Sequence, residues 1–308
     1  MTKSKMYWRN RELKHIKNNI KSDKQVAKEL RKKYKEMTEN INVQIEQFYG
    51  RYALREGIAI EEARKRVNKA DIEKYKRKAK KYVKTKDFSK RANEEMRLYN
   101  VTMRVNRMEL LKKDLQLELL AMTSEEERLL YEHFYEGAIR EYRHQSAILG
   151  ATVNNNAKNI RKIINSSFYS AEWSDNLWAN HEALRNELDK LLHRGIVQGK
   201  NPRELARDFR KAIDSSVYNS ERLLRTETAR VQTDVFIDSA RQMDIEQYEW
   251  IAEPDACYEC ADLDGKIFDV DKIRIGTNGV PKHPHCRCAL AMYVDREAWD
   301  EKLRARGL

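Results

Sequence analysis

The sequence predicts a mainly α protein in which an extended helical N-terminal half leads to a small C-terminal α+β module. Three observations carry that prediction. Charged residues make up 36% of the 308 residues while only 10 are Gly and 4 are Pro, so helix breakers are scarce and helix formers abundant. Apolar residues recur at helical spacing over long stretches. After Met243 the pattern changes, and three of the four prolines and three of the ten glycines fall between residues 254 and 284.

The first clear helical stripe is Val26, Leu30, Tyr34, Met37, Ile41, Ile45 and Phe48. Its steps of three and four follow the 3.6-residue turn, and nearly every position off the stripe is polar. Gly50 and Gly57 are expected to loosen or end this helix. A second helix is expected over residues 71–85, with Ile72, Tyr75, Ala79 and Tyr82 on its apolar face. Helical pattern resumes over 89–122. Thr123-Ser-Glu-Glu126 then has the form of a capping box, which predicts a fresh helix start ahead of Leu129, Leu130, Phe134, Ala138 and Ile139. Residues 150–156 read as a loop. A helix from Trp173 is expected to end at Gly195 as a left-handed cap, and Asn201 with Pro202 to start the next. Trp173 and Trp178 are expected to pack between helices. His15, His133, His144, His181 and His193 show no ligand spacing and read as ordinary surface or boundary residues. Three segments follow: residues 1–122, basic and helical; 123–243, helical; and 244–308, a β-rich module.

The net charge is +12, which favours a polyanionic partner. The most basic stretch is the predicted helix 71–85 and its end, with Lys74, Lys76, Arg77, Lys78, Lys80, Lys81 and Lys84. No acidic residue follows Glu73 until Asp87, so these cations lack partners within their own helix. They are the candidate contacts to nucleic-acid phosphates. With no base-reading module beside them, contact with double-stranded DNA should not depend on sequence. A solvated face is the plainer alternative. No run of about 18 apolar residues exists to span a membrane, and the basic N-terminus lacks the apolar stretch of a signal peptide. Clustered cysteines in such a protein are expected to hold metal rather than to pair as disulfides.

The C-terminal module predicts strands at 247–252, 266–268 and 289–294, with a tight turn at Asp264-Gly265. All 4 cysteines lie within 32 residues, as Cys257-x-x-Cys260 and Cys286-x-Cys288, joined by His283 and His285. The first pair has the spacing of a zinc knuckle, and zinc takes four thiolate or imidazole ligands in a tetrahedron. Cys257, Cys260 and Cys286 are the expected ligands. The fourth is His283, which would make His283-x-x-Cys286 mirror the first pair, or Cys288. The reading leans to His283, because Cys288 runs straight into the last strand. Such a zinc would be a structural staple for a module too small to hold itself together. A redox Cys-x-x-Cys would sit at a helix start in a βαβ setting, which is missing here. A catalytic zinc would need an open coordination position and a general base. No phosphate loop, nucleophile elbow or two-metal carboxylate cluster is visible, so the expectation is a protein that is not an enzyme.

The order of motifs resembles a known family. Arg225-Thr-Glu-Thr-Ala-Arg230, an aromatic strand with Tyr248 and Trp250, Cys257-x-x-Cys260, Leu263-Asp-Gly-Lys-Ile-Phe268 and His283-Pro-His-Cys-Arg-Cys288 together look like the C-terminal signature of the phage Mu F-like minor head proteins, also called phage head morphogenesis proteins. The resemblance covers roughly residues 140–296. The basic N-terminal half, with Tyr7-Trp-Arg9, resembles more loosely the minor head proteins of siphophages infecting Gram-positive bacteria. The resemblance implies a virion component that enters the procapsid with the portal protein and associates with packaged DNA. It also implies possible contact with scaffold or major capsid protein and a role in head morphogenesis or DNA ejection. The family's zinc cluster carries over to Cys257, Cys260, His283 and Cys286, with Cys288 as the other candidate for the fourth place. His285 stands where the family commonly has Asn, which speaks against it as a ligand. Arg225, Thr226, Glu227 and Arg230 are expected to bond against the zinc module, with a functional surface as the alternative. The alternatives are a zinc-associated nuclease or toxin-like effector, and a zinc-ribbon nucleic-acid-binding regulator.

Overall fold

The computed structural model describes residues 3–56, 107–149, 156–166, 171–198 and 202–294. The expected helix over residues 71–85, with its seven candidate phosphate contacts, lies outside them. The described chain runs α1 (Lys3–Glu56), α2 (Arg107–Leu149), α3 (Ala157–Ile164), α4 (Trp173–Gln198) and α5 (Pro202–Gln242). There follow β1 (Gln247–Ile251), the single turn α6 (Tyr258–Ala261), β2 (Ile267–Asp269), a 3-10 turn (Val270–Lys272) and β3 (Ala289–Tyr293). The fold is mainly α with a small C-terminal strand-containing region, as the sequence predicts. No described helix is long and apolar enough to cross a membrane.

Helix boundaries depart from expectation at three places. The Thr123-Ser-Glu-Glu126 sequence does not start a helix, because α2 runs through it. Thr123 Oγ1 donates to the Leu119 carbonyl at 2.7 Å and Ser124 Oγ to the Leu120 carbonyl at 3.1 Å. These hydroxyls bond back one turn instead of capping, and the buried residues Leu119, Met122, Leu130 and Phe134 run unbroken past them. Helix α4 likewise continues through Gly195 to Gln198, and α1 through Gly50 to Glu56. One glycine costs a helix interior only about 1 kcal/mol, less than burial of the stripes that lead up to it at Phe48 and Leu192 contributes. Asn156, the last residue of the expected loop, caps α3 by accepting from the Asn159 amide at 2.8 Å.

The chain forms two compact units, each assembled from separated segments. One comprises Arg31–Glu125 and Trp178–Tyr218. Its core joins Tyr34, Met37, Ile41, Ile45 and Phe48 of α1 with Leu111, Leu115 and Leu119 of α2, Leu184, Leu188 and Leu192 of α4, and Leu205, Phe209 and Ile213 of α5. The four-residue steps on three of these helices place one apolar residue per turn on a single face. The buried Tyr34 hydroxyl there is paired, with Oη 3.2 Å from His181 Nε2 and 3.3 Å from Ser216 Oγ. Trp178, expected between helices, is instead 39% exposed.

The other unit comprises Met1–Leu30, Glu126–Leu177 and Asn219–Leu308. Its sheet has the order β2-β1-β3 and is antiparallel throughout, with Tyr248 opposite Phe268 and Met292, and Trp250 opposite Leu290. Alternation along β1 divides its side chains between two faces. Tyr248 and Trp250 pack with Phe236 and Ala240 of α5 and with Cys260, Cys286 and Cys288. On the other face Ile251, Ala289 and Ala291 meet Leu13, Ile16 and Ile20 of α1. The sheet is therefore covered on both sides, and Trp173 is buried edge-on against Phe134 at 5.2 Å elsewhere in the same unit.

Candidate metal centre

Two short turns bring the sulfur and imidazole groups together. Cys257 stands at the start of α6 with extended backbone, and its carbonyl accepts from the Cys260 and Ala261 amides at 3.1 and 2.9 Å. The second turn repeats the first, with the Cys286 amide donating to the His283 carbonyl at 3.1 Å. In each case an i,i+3 turn aims two donor side chains toward one place, which is what the x-x spacing provides.

The resulting donor set is dense. His283 Nε2 lies 3.1 Å from Cys257 Sγ and 3.2 Å from Cys260 Sγ, and Cys260 Sγ lies 3.8 Å from Cys286 Sγ. Two groups of metal-capable atoms form, Cys257–Cys260–His283 and Cys260–Cys286–Cys288, with Cys260 common to both. A tetrahedral ion with sulfur at about 2.3 Å separates two sulfurs by about 3.8 Å, so the Cys260–Cys286 spacing suits such a pair. His283 is also set for ligation. Its Nδ1 donates to the Pro284 carbonyl at 2.8 Å, which leaves the Nε2 lone pair directed at the thiols.

Electrostatics support the same use. Thiol hydrogen bonds from Cys260 and Cys288 hold Cys286 well below the ordinary thiol range, while Cys260 and Cys288 are pushed up, chiefly by that bond to Cys286. The Cys257 thiol is drawn down, first by the Cys260 amide. Negative charge thus gathers on sulfur inside a largely buried cluster, a setting that favours a soft cation.

All five residues expected as donors, Cys257, Cys260, His283, Cys286 and Cys288, are brought together, and His285 is not among them. His285 adopts a left-handed backbone with φ of 67°, a conformation that Asn and His tolerate better than most residues. Its amide donates to Thr226 Oγ1 at 3.3 Å, and its Nδ1 lies 3.5 Å from Arg225. Arg225 and Thr226 therefore do bond against the loop that carries the candidate donors. Glu227 and Arg230 face elsewhere. Arg230, 1% exposed, pairs with Glu227 at 2.6 Å and Asp234 at 2.8 Å, and donates to the Ile163 and Ile164 carbonyls at 2.9 and 2.8 Å. It closes the C-terminal end of α3, whose last carbonyls have no helical partner.

The sequence reading missed a set of polar contacts that hold α1 onto this unit. Glu12-x-x-His15 on α1 faces Glu141-x-x-His144 on α2, and the pairs cross. His15 Nε2 is 2.6 Å from Glu141, His144 Nε2 is 2.9 Å from Glu12, and the two imidazoles stack at 3.7 Å. Further along α1, Asp23 is buried between His133 at 2.8 Å and Arg287. Arg9 meets Asp264 at 2.6 Å, and the same carboxylate accepts from the Ala252 amide at 2.8 Å. His133 and His181 are accordingly buried and bonded rather than surface residues. The repeated Glu-x-x-His spacing was the available signal, since i,i+3 places both side chains on one helical face.

No curated protein and no solved structure matches the chain. Residues 186–291 match the family model described as Phage Mu protein F like protein, a stretch that ends within β3 and includes the Arg225–Arg230 motif and every candidate metal ligand. About a third of the chain is thus similar to the Phage Mu F-like family, over the stretch that holds its ordered motifs.

Proposed function

We propose that the protein is a phage minor head component that joins the portal protein inside the procapsid, remains in the virion near the portal, and contacts packaged double-stranded DNA without sequence preference. The match to the Mu F-like family carries this reading, because it coincides with the segment whose two turns converge on one donor cluster. Contact with scaffold or major capsid protein and a part in DNA ejection belong to the same proposal.

We further propose that the cluster holds one structural zinc ion, with Cys257, Cys260, His283 and Cys286 as ligands. Cys288 would then donate its thiol hydrogen bond to the Cys286 sulfur, as a neighbour that tunes the ligand. Zinc would cross-link the two turns, and such binding energy counts as folding energy. Five side chains compete for four places, which leaves no place for a reactive water and favours a structural over a catalytic ion. On this reading the protein is not an enzyme.

The test is composition of the particle. Purified virions should contain the protein in few copies per portal, and tagged protein should capture the portal from infected cells. Absence from both would overturn the reading. Metal-dependent cleavage of DNA or RNA, abolished by a single substitution at the cluster, would instead establish the nuclease alternative.

A further inference from the structure

We infer that the N-terminal part of α1 carries its own binding surface for the phosphate backbone of double-stranded DNA, made by Lys14, Lys17, Lys21, Lys24 and Lys28. All five are exposed. Their spacings of three and four confine them to about 80° of arc and about 21 Å of helix length, at 100° and 1.5 Å per residue. Such a row is a straight band of positive charge.

The rest of the helix explains why the band has one sign. The acids that could neutralise it are turned inward: Glu12 bonds His144, and Asp23 is held by His133 and Arg287. Glu29 is the exposed acid between residues 14 and 30, and helical geometry sets it about 60° beyond the edge of the row. None of the five lysines has an ion-pair partner among the described residues. Farther along, Lys32 and Lys35 do have partners, Glu36 at 3.6 Å and Glu39 at 3.8 Å, so the unneutralised run ends there.

The same geometry selects the partner. A helix that lies in a lipid surface must offer its apolar face to the acyl chains. Here Leu13, Ile16 and Ile20 are spent on the sheet residues Ile251, Ala289 and Ala291, and Ala27 and Leu30 are buried in the helical core of the same unit. Along residues 14–28 no large apolar side chain is left exposed, and the exposed Met6 and Tyr7 lie about two turns before the row. That suits a partner recognised by closely spaced phosphates, and lysine provides point charges for them without reading bases.

The proposal rests on the reading of the chain as a DNA-contacting protein, and assigns that contact to a second place besides residues 74–84. The experiment uses the full chain and two fluorescent 30-base-pair duplexes of unrelated sequence, followed by anisotropy between 50 and 200 mM KCl. The five lysines are changed together to Gln, a good helix former that keeps the stem length. A second variant changes Lys74, Lys76, Lys78 and Lys80 to Gln. Loss of five phosphate contacts should flatten the plot of log affinity against log salt by about 4.5, and remove roughly 500-fold of the salt-dependent weakening across that range. Both duplexes should respond alike, with thermal melting unchanged.

Unaltered affinity and slope in the five-lysine variant overturn the proposal, and if the second variant alone loses binding, DNA contact by the chain still stands. No duplex binding by the wild type at 50 mM salt overturns both. Binding to vesicles containing 30% phosphatidylserine that is lost in the five-lysine variant, with duplex binding intact, transfers the band to a lipid partner and also overturns it.

Discussion

At the scale of single residues, the buried charge of Arg230 is held by carboxylates and by carbonyls at a helix end. Arg230 neutralises Glu227, reaches Asp234 and satisfies the last carbonyls of α3. Replacing it by Met keeps the volume and removes every one of those bonds. A charge left buried alone costs about 3–5 kcal/mol, so Arg230→Met should lower unfolding stability by about that amount in a urea titration. Substitution of Arg241, exposed and 3.5 Å from Asp271, should change stability by less than about 1 kcal/mol. The donor cluster allows an equally local test. On the proposed ligand set, Cys260→Ser and His283→Ala should abolish or sharply weaken zinc binding, whereas Cys288→Ser should retain one zinc per chain by elemental analysis. Retention in His283→Ala with loss in Cys288→Ser would exchange the two roles.

Between elements, the crossed Glu-x-x-His pairs join α1 to α2 and make that joint dependent on pH. Burial opposes protonation of His15, but the Glu141 carboxylate outweighs it and raises the His15 pKa above 6.5. Burial also works against charge on Glu141, yet His15 wins and brings its pKa from 4.5 to about 2. The signs are opposite. The His15 contribution is complete below 6.5 and is lost as pH rises through its raised folded value, while the Glu141 contribution is complete above 4.5 and is lost as pH falls toward about 2. Both act together between about pH 4.5 and 6.5. Wild type should therefore exceed Glu141→Gln in stability by on the order of 2–3 kcal/mol inside that window and by less on either side. Melting curves of both proteins from pH 3 to 9 provide the check, and a gap that does not change with pH would count against the pair. The helices themselves were largely legible: the Val26–Phe48 stripe and the apolar positions after Leu129 are buried or partly buried as their spacing predicts. Boundaries were less so. Thr123 and Ser124 can cap a helix or bond back within one, and burial of the α2 stripe on either side of them decides between the two.

For the whole molecule, the proposed zinc makes a separable prediction. The sheet residues Tyr248 and Trp250 pack directly on Cys260, Cys286 and Cys288, so removal of the ion should loosen that core first. Treatment with a strong chelator should red-shift Trp fluorescence and expose the cysteines to thiol reagents. The four-helix core around Ile41, Leu115, Leu188 and Phe209 contains none of the donor residues, and most of the helical circular dichroism should persist. Loss of the full helical signal would show instead that the staple supports the entire chain. The sequence by itself determined the mainly helical class, the position of the three strands and the full set of candidate donors. Each of these rests on spacing within a few residues, or on a shortage of alternatives, since only four cysteines were available. The tertiary structure decided the rest. It divided α1, α2, α4 and α5 between two cores, paired His15 and His144 with carboxylates more than 120 residues away, and turned Arg230 toward α3 rather than the donor loop. It also turned Glu12 and Asp23 of α1 inward, leaving a row of lysines facing out. Such choices depend on which helical faces meet, and many pairings of amphipathic helices bury similar apolar area. Local periodicity shows that a face must be covered, but the contacts that cover it lie far along the chain.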